Sequence, residues 1–145
     1  MSDLDYTDAD APTDELAPAR EVPWSLEAEQ SALGSMMLSR DALEDVMSVV
    51  QPDHFYQPKH EMIARAIGAL VARNDPVDVL TVGDELQRAG QLAKAGGAAY
   101  LHHLTSVPLT TVNAAHHAQI VNDHARRRVL LEVGMQITTK AYASE

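Results

Sequence analysis

The chain has 145 residues, 46% of them hydrophobic but only 4% aromatic, with no cysteine and a formal net charge of -10. That length supports one domain with a real core, and a composition rich in alanine and leucine favours helices packed on helices. The absence of cysteine excludes disulfides, thiolate catalysis and cysteine metal sites, and it fits a reducing compartment.

No apolar run reaches membrane-spanning length, so no membrane association is expected. The acidic N-terminus has none of the apolar character of a signal peptide, and the expected location is the cytoplasm. Charge is unevenly placed. Residues 1–23 carry seven acids against the single base Arg20, whereas the remainder carries 14 acids and 10 bases. An acidic body is a poor platform for phosphate backbones, so direct nucleic-acid binding is not expected, and any role near DNA would run through protein partners.

Residues 1–22 are rich in Asp and Ala and contain Pro12 and Pro18, which reads as a disordered acidic leader. Structure is expected from Pro23 onward. Ser25 suits an N-cap, with Glu27 and Glu29 in the first turn where the helix dipole favours anions. Leu26, Leu33, Met36 and Met37 form the apolar stripe of this first helix, and Gly34 within it suggests close approach by a neighbouring backbone. Asp41 and Glu44 have capping-box spacing for a second helix that runs to Val50 and stops before Pro52. Pro58 opens a third helix with Ile63, Ala66, Ile67 and Leu70 on one face, ended by Asn74-Asp75-Pro76. Val77 to Leu80 reads as a short extended connection. Thr81 and Asp84 then cap a fourth helix that Gly90 closes. Gly96-Gly97 precedes a fifth helix from about Ala98 to Thr105.

After Pro108 the pattern changes. Thr111 to Ala143 reads as one long helix with no internal proline. Ala118, Val121, Ala125, Val129 and Val133 make one stripe, Leu130 and Ile137 fall on one flank, and Leu131 and Met135 on the other. A helix apolar on this many faces needs more cover than one small head supplies. The expectation is an assembly module from a longer protein, completed by a second helix or a second chain.

Motifs for chemistry are missing. None of the seven glycines is followed by lysine, so no phosphate loop is present, and no glycine spacing matches a dinucleotide fingerprint. His60-Glu61 begins like a zinc-protease helix, but Ala64 stands where the second ligand would be. The other histidines have no i, i+4 ligand partner, and all seven are read as solvated or capping side chains. Adjacent acids such as Glu44-Asp45 point to different sides of a helix and suit solvation better than acid–base work. Arg126-Arg127-Arg128 is the only basic cluster. Three successive helical residues ring the helix instead of forming a patch, which favours pairing within the chain or a collar of solvated charge.

The segment Pro23-Trp24-Ser25-Leu26-Glu27-Ala28-Glu29-Gln30-Ser31-Ala32-Leu33-Gly34 resembles the opening of the N-terminal domain of DnaB-type bacterial replicative helicases. Asp53-His54-Phe55-Tyr56 with His60, Pro76-Val77-Asp78 with Thr81, Gly90-Gln91-Leu92, and Gly96-Gly97-Ala98-Ala99-Tyr100-Leu101 follow in family order. Asn113 and Ile120-Val121 match the start of the family's helical hairpin. Ser35, where a second glycine is common, and Leu109, an added residue near Pro108, depart from the pattern.

The resemblance implies an all-α fold: a compact helical head over 23–108, then the first long helix of a helical hairpin over 109–145. It implies a noncatalytic collar domain that assembles with copies of itself into a hexameric ring and docks the C-terminal domain of the DnaG-type primase. ATP and Mg would belong to the family's later ATPase domain, and no cofactor to this chain. Family interface positions correspond to Glu27, Asp78 and Tyr100 in the head and to Leu131 and Ile137 in the arm, where periodicity adds Leu130 and Met135. An alternative is a free-standing phage or plasmid regulator that copies this domain.

Overall fold

The structure, a computed structural model, describes residues 20–143; most of the expected leader and the last two residues lie outside that range. Six α-helices follow in order: α1 Leu26–Leu38, α2 Arg40–Met47, α3 Pro58–Ala72, α4 Val79–Arg88, α5 Gly97–Ser106 and α6 Ala114–Tyr142, with a 3-10 turn at Pro52–His54. No strand occurs among the described residues.

The first helix is the hub. It packs against α6, α5, α2 and α3, while α4 bridges α3 and α5. Its start is fixed as the sequence predicts, because the Ser25 side chain accepts a hydrogen bond from the Ala28 N–H. Leu33, Met36 and Met37 are buried, but Leu26 is exposed: the inward stripe runs Ala28, Glu29, Ala32, Leu33 and Met36 instead. At Gly34 the expected close approach is present. A β-carbon there would lie 2.8 Å from the Leu104 carbonyl carbon and closer still to its oxygen, so α5 rests directly on the backbone of α1.

Four boundaries differ from the sequence expectation. The cap of α2 is Ser39, which accepts from the Ala42 N–H, and the helix ends at Met47, not Val50. Residues 77–80 are not an extended link, since α4 already starts at Val79. Its cap is Asp78, whose carboxylate accepts from the Thr81 N–H while the Thr81 hydroxyl accepts from the Asp78 N–H. In both helices a Ser or Asp two or three residues upstream is the N-cap; Thr81 serves as the far half of the α4 capping box, and neither Asp41 nor Asp84 is the cap. The long helix starts at Ala114, three residues later than expected.

On the opposite side Arg73 donates to Glu85, closing α3 against α4 at 2.6 Å. That hydrogen bond and charge hold the Glu85 carboxyl below its ordinary range. A folded-state value below the unfolded one means that the pair stabilises the domain above the ordinary carboxylate range, about pH 4, and that this contribution is lost as pH falls through the folded-state value. Melting curves of Glu85→Gln and the parent from pH 7 to 3 should therefore converge at the acid end. Equal separation at every pH would show that the pair carries no such linkage.

Candidate protein-interaction surface

The head covers α6 only at its beginning. Ala114, Ala118, Val121 and Ala125 are buried against it, and every residue from Val129 to Ala143 is exposed. The head covers the predicted stripe as far as Ala125, and beyond it Val129 and Val133 find no cover among the described residues. Together with Leu130, Leu131, Met135 and Ile137 they are between 45% and 71% exposed. Six large apolar side chains on about two and a half turns of one helix form an exposed patch of the kind that marks association surfaces.

Leu130, Leu131 and Met135 line one open groove of about 1060 Å³, walled on its far side by Arg20, Glu21, Val22 and Pro23. Ile137 lies outside that groove, although periodicity put it on the same flank as Leu130. Gly134 lines a separate shallow depression beside that groove, with Leu130, Leu131 and Met135, and a β-carbon on it would meet nothing within 4 Å. It is the one place on this face where another backbone can come close.

Arg128 ties the root of this arm to the head. Its guanidinium donates to the Pro23 carbonyl at 2.8 Å and to the His54 carbonyl at 2.6 Å, and it sits 5.3 Å from the centre of the Tyr56 ring. The Tyr56 ring packs in turn on Trp24 at 5.2 Å. Of the basic triplet, Arg128 is thus the member bound within the chain, while Arg126 and Arg127 are exposed and make no ion pair among the described residues.

The three head positions belong to three different elements: α1, the cap of α4 and α5. Glu27 is exposed on the first turn of α1, and Asp78 serves as the cap of α4. Tyr100 is half-buried, and its hydroxyl meets His60 Nε2 at 2.6 Å and Gln30 Nε2 at 3.2 Å. Lys59 Nζ lies 3.9 Å over its ring.

His60 is the largest departure from expectation. Read as solvated or capping, it is fully buried and bonded through Nδ1 to Glu29 at 2.7 Å. Glu29, read as an ordinary first-turn carboxylate, is also buried and accepts from the Tyr56 N–H at 2.8 Å and the Gln57 N–H at 3.3 Å. One proton arrangement satisfies every partner: Gln30 donates to the Tyr100 oxygen, Tyr100 donates to Nε2, and Nδ1–H donates to the carboxylate.

The spacing carried a signal for both. Glu29 stands four residues before Leu33 and seven before Met36, and His60 stands three before Ile63 and seven before Ile67, so each lies on its helix's buried stripe. A buried carboxylate and a buried imidazole need each other as partners. Arg128 likewise follows Val121 and Ala125 on the covered face.

The described residues contain no group of three or more side chains able to hold a metal ion. None of their helices is long and apolar enough to cross a membrane. A helical head with an arm that it only half covers, and with its polar groups engaged in holding elements together, defines an α-helical domain with an uncovered apolar arm. The chain belongs to the DnaB-like helicase N-terminal domain family, whose description matches residues 21–123.

Its relatives agree. It is 50% identical over 129 residues to the replicative DNA helicase DnaB of Leifsonia xyli, covering 89% of this chain and 28% of that protein. It is 41% identical over 143 residues to DnaB of Mycobacterium leprae, covering 99% of this chain and 24% of that one. The chain thus spans about a quarter of the length of these relatives, in the region that the N-terminal domain family describes. The crystal structure of the DnaB N-terminal domain from Mycobacterium tuberculosis superimposes with a TM-score of 0.83 at 43% identity, covering 84% of this chain and 87% of that one. A DnaB-like replicative helicase described with its interactions with primase gives 0.69 at 26% identity, covering 80% of this chain and 27% of that one.

Proposed function

We propose that this domain is the noncatalytic collar of a replicative helicase, joining subunits into a ring through α6 and docking a DnaG-type primase during DNA replication in the cytoplasm. The observation that carries the assembly half is the uncovered apolar face from Val129 to Ile137. Full burial of a leucine, valine, isoleucine or methionine side chain is worth about 1.5–3 kcal/mol, so this face is a standing drive for a second helix to cover it. The gap at Gly134 gives that helix a point of close approach. The docking half is supported by the structural relative described with primase, and the primase C-terminal domain is the partner to test. ATP and Mg act in the family's catalytic domain in this reading.

Sedimentation and titration test the two halves separately. The parent chain is expected to self-associate at micromolar to millimolar concentration and to bind a primase C-terminal domain saturably. Leu131→Asp with Met135→Asp should shift the chain to monomer without lowering its melting temperature, because neither side chain is packed against the head. An unchanged association constant in that double variant would remove α6 as the joining surface. Absence of saturable primase binding would remove the docking half alone.

A further inference from the structure

The loop Phe55–Gln57 is held from two sides by side chains that the collar function does not explain. From α1, the Glu29 carboxylate takes the Tyr56 and Gln57 N–H groups. From α6, Arg128 takes the His54 carbonyl next to the loop and stands over the Tyr56 ring. Phe55 between them is buried in the core. The Phe55 N–H bonds the Pro52 carbonyl and the Gln57 carbonyl receives the first N–H groups of α3, but the Tyr56 and Gln57 N–H groups and the His54 carbonyl are taken by two charged residues from different helices. Glu29 is in turn held by His60, and His60 by the hydroxyl of half-buried Tyr100 on α5. Tyr100 is the end of this chain that reaches the surface, with Lys59 and the His103 ring, 6.0 Å away, against its ring.

We propose that this loop is a coupling element, and that His60 and Arg128 are positioning residues through which the state of the Tyr100 surface sets the angle at which α6 leaves the head. The last buried residue of α6 is Ala125, so Arg128 is the final tie before the free arm. That arm, residues 129–142, is about 20 Å long, and a rotation of roughly 10° at Arg128 moves its tip by about 3–4 Å. A partner that takes up the Tyr100 hydroxyl withdraws one of the two bonds that orient His60. This frees the Glu29 carboxylate to shift and loosens the loop on which Arg128 rests. Coupling of this kind requires one shared element that both ends bias, and the loop is that element. The proposal rests on the head and arm acting as separate contact surfaces, but its test reads the arm's geometry in the chain alone, so its failure leaves the collar reading standing.

The natural sequence has no cysteine, so the exposed positions in Arg65→Cys and Ala141→Cys can carry the only two spin labels. Pulsed dipolar spectroscopy on the labelled full chain, diluted in unlabelled chain, gives the head-to-arm distance distribution. Tyr100→Phe removes one hydroxyl and keeps the ring. It is expected to shift or broaden the distribution by about 3–4 Å, the lever estimate above. Arg128→Gln should do the same, and the double variant should go no further than the larger single effect, as residues on one path behave. Leu86→Ala, in the core of α4, is the control: it should lower the melting temperature and leave the distribution in place. A distribution unchanged in Tyr100→Phe, or unchanged in Arg128→Gln, overturns the proposal. So does an additive double variant, or a shift of equal size in Leu86→Ala.

Discussion

Replacing Glu29 by alanine is expected to remove about 3–5 kcal/mol of stability, the usual cost of breaking a buried, hydrogen-bonded charged group. The carboxylate is the acceptor for two backbone N–H groups and the His60 imidazole. Alanine would leave the buried His60 donor and two half-buried backbone N–H groups with nothing in the chain to receive them, and burial without a partner costs a donor its desolvation penalty. Glu29→Gln keeps the volume and one acceptor oxygen but turns an NH2 toward groups that also donate, so it should lose less than alanine while remaining clearly destabilised. Urea denaturation followed by circular dichroism measures both. A loss below about 1 kcal/mol for alanine, the level of an exposed first-turn carboxylate interacting with the helix dipole, would contradict the buried placement. Because domains of this size hold only about 5–15 kcal/mol in total, the alanine variant is expected to be partly unfolded at 37 °C.

Gly34→Ala is expected to be nearly as damaging although it adds a single methyl group. On an open helix face that exchange would stabilise by up to about 1 kcal/mol through helix propensity. Here the new carbon meets the Leu104 carbonyl of α5, with the Pro108 ring at 3.1 Å beside it. The obstructing atoms are backbone within a helix, which no rotamer change can move aside. The two helices must separate, and a cost at or above the upper end of the roughly 1–3 kcal/mol seen for overpacked cores follows. Gly134→Ala makes the useful contrast, since its β-carbon enters open space in the isolated chain. The paired melting temperatures should move in opposite directions. If Gly34→Ala proved as harmless as Gly134→Ala, α1 and α5 would not be in the contact described.

Both glycines illustrate how differently the same residue reads in sequence and in space. At Gly34 the sequence suggested a close neighbour but could not name it, because Leu104 arrives 70 residues later. At Asp78 the family resemblance suggested an interface, whereas the structure gives the side chain a full occupation as the cap of α4. Capping and a contact role are not exclusive, but the capping box alone accounts for an Asp three residues before a Thr.

Local pattern therefore determined the class of fold, the number of helices, most of their ends and the presence of apolar faces on the last one. These follow from spacing, capping residues, prolines and glycines, each of which acts within a few residues of itself. The ordered motifs also determined the family. What only the tertiary structure decided was occupancy. It showed that Glu29 and His60 face inward toward each other and that Arg128 grips carbonyls from residues 23 and 54. It also showed that the head's cover of α6 ends at Ala125 and leaves Val129 and Val133 bare. The physical reason is that a periodic stripe records which side of a helix avoids water, while the identity and reach of whatever covers it depend on surfaces contributed from distant parts of the chain.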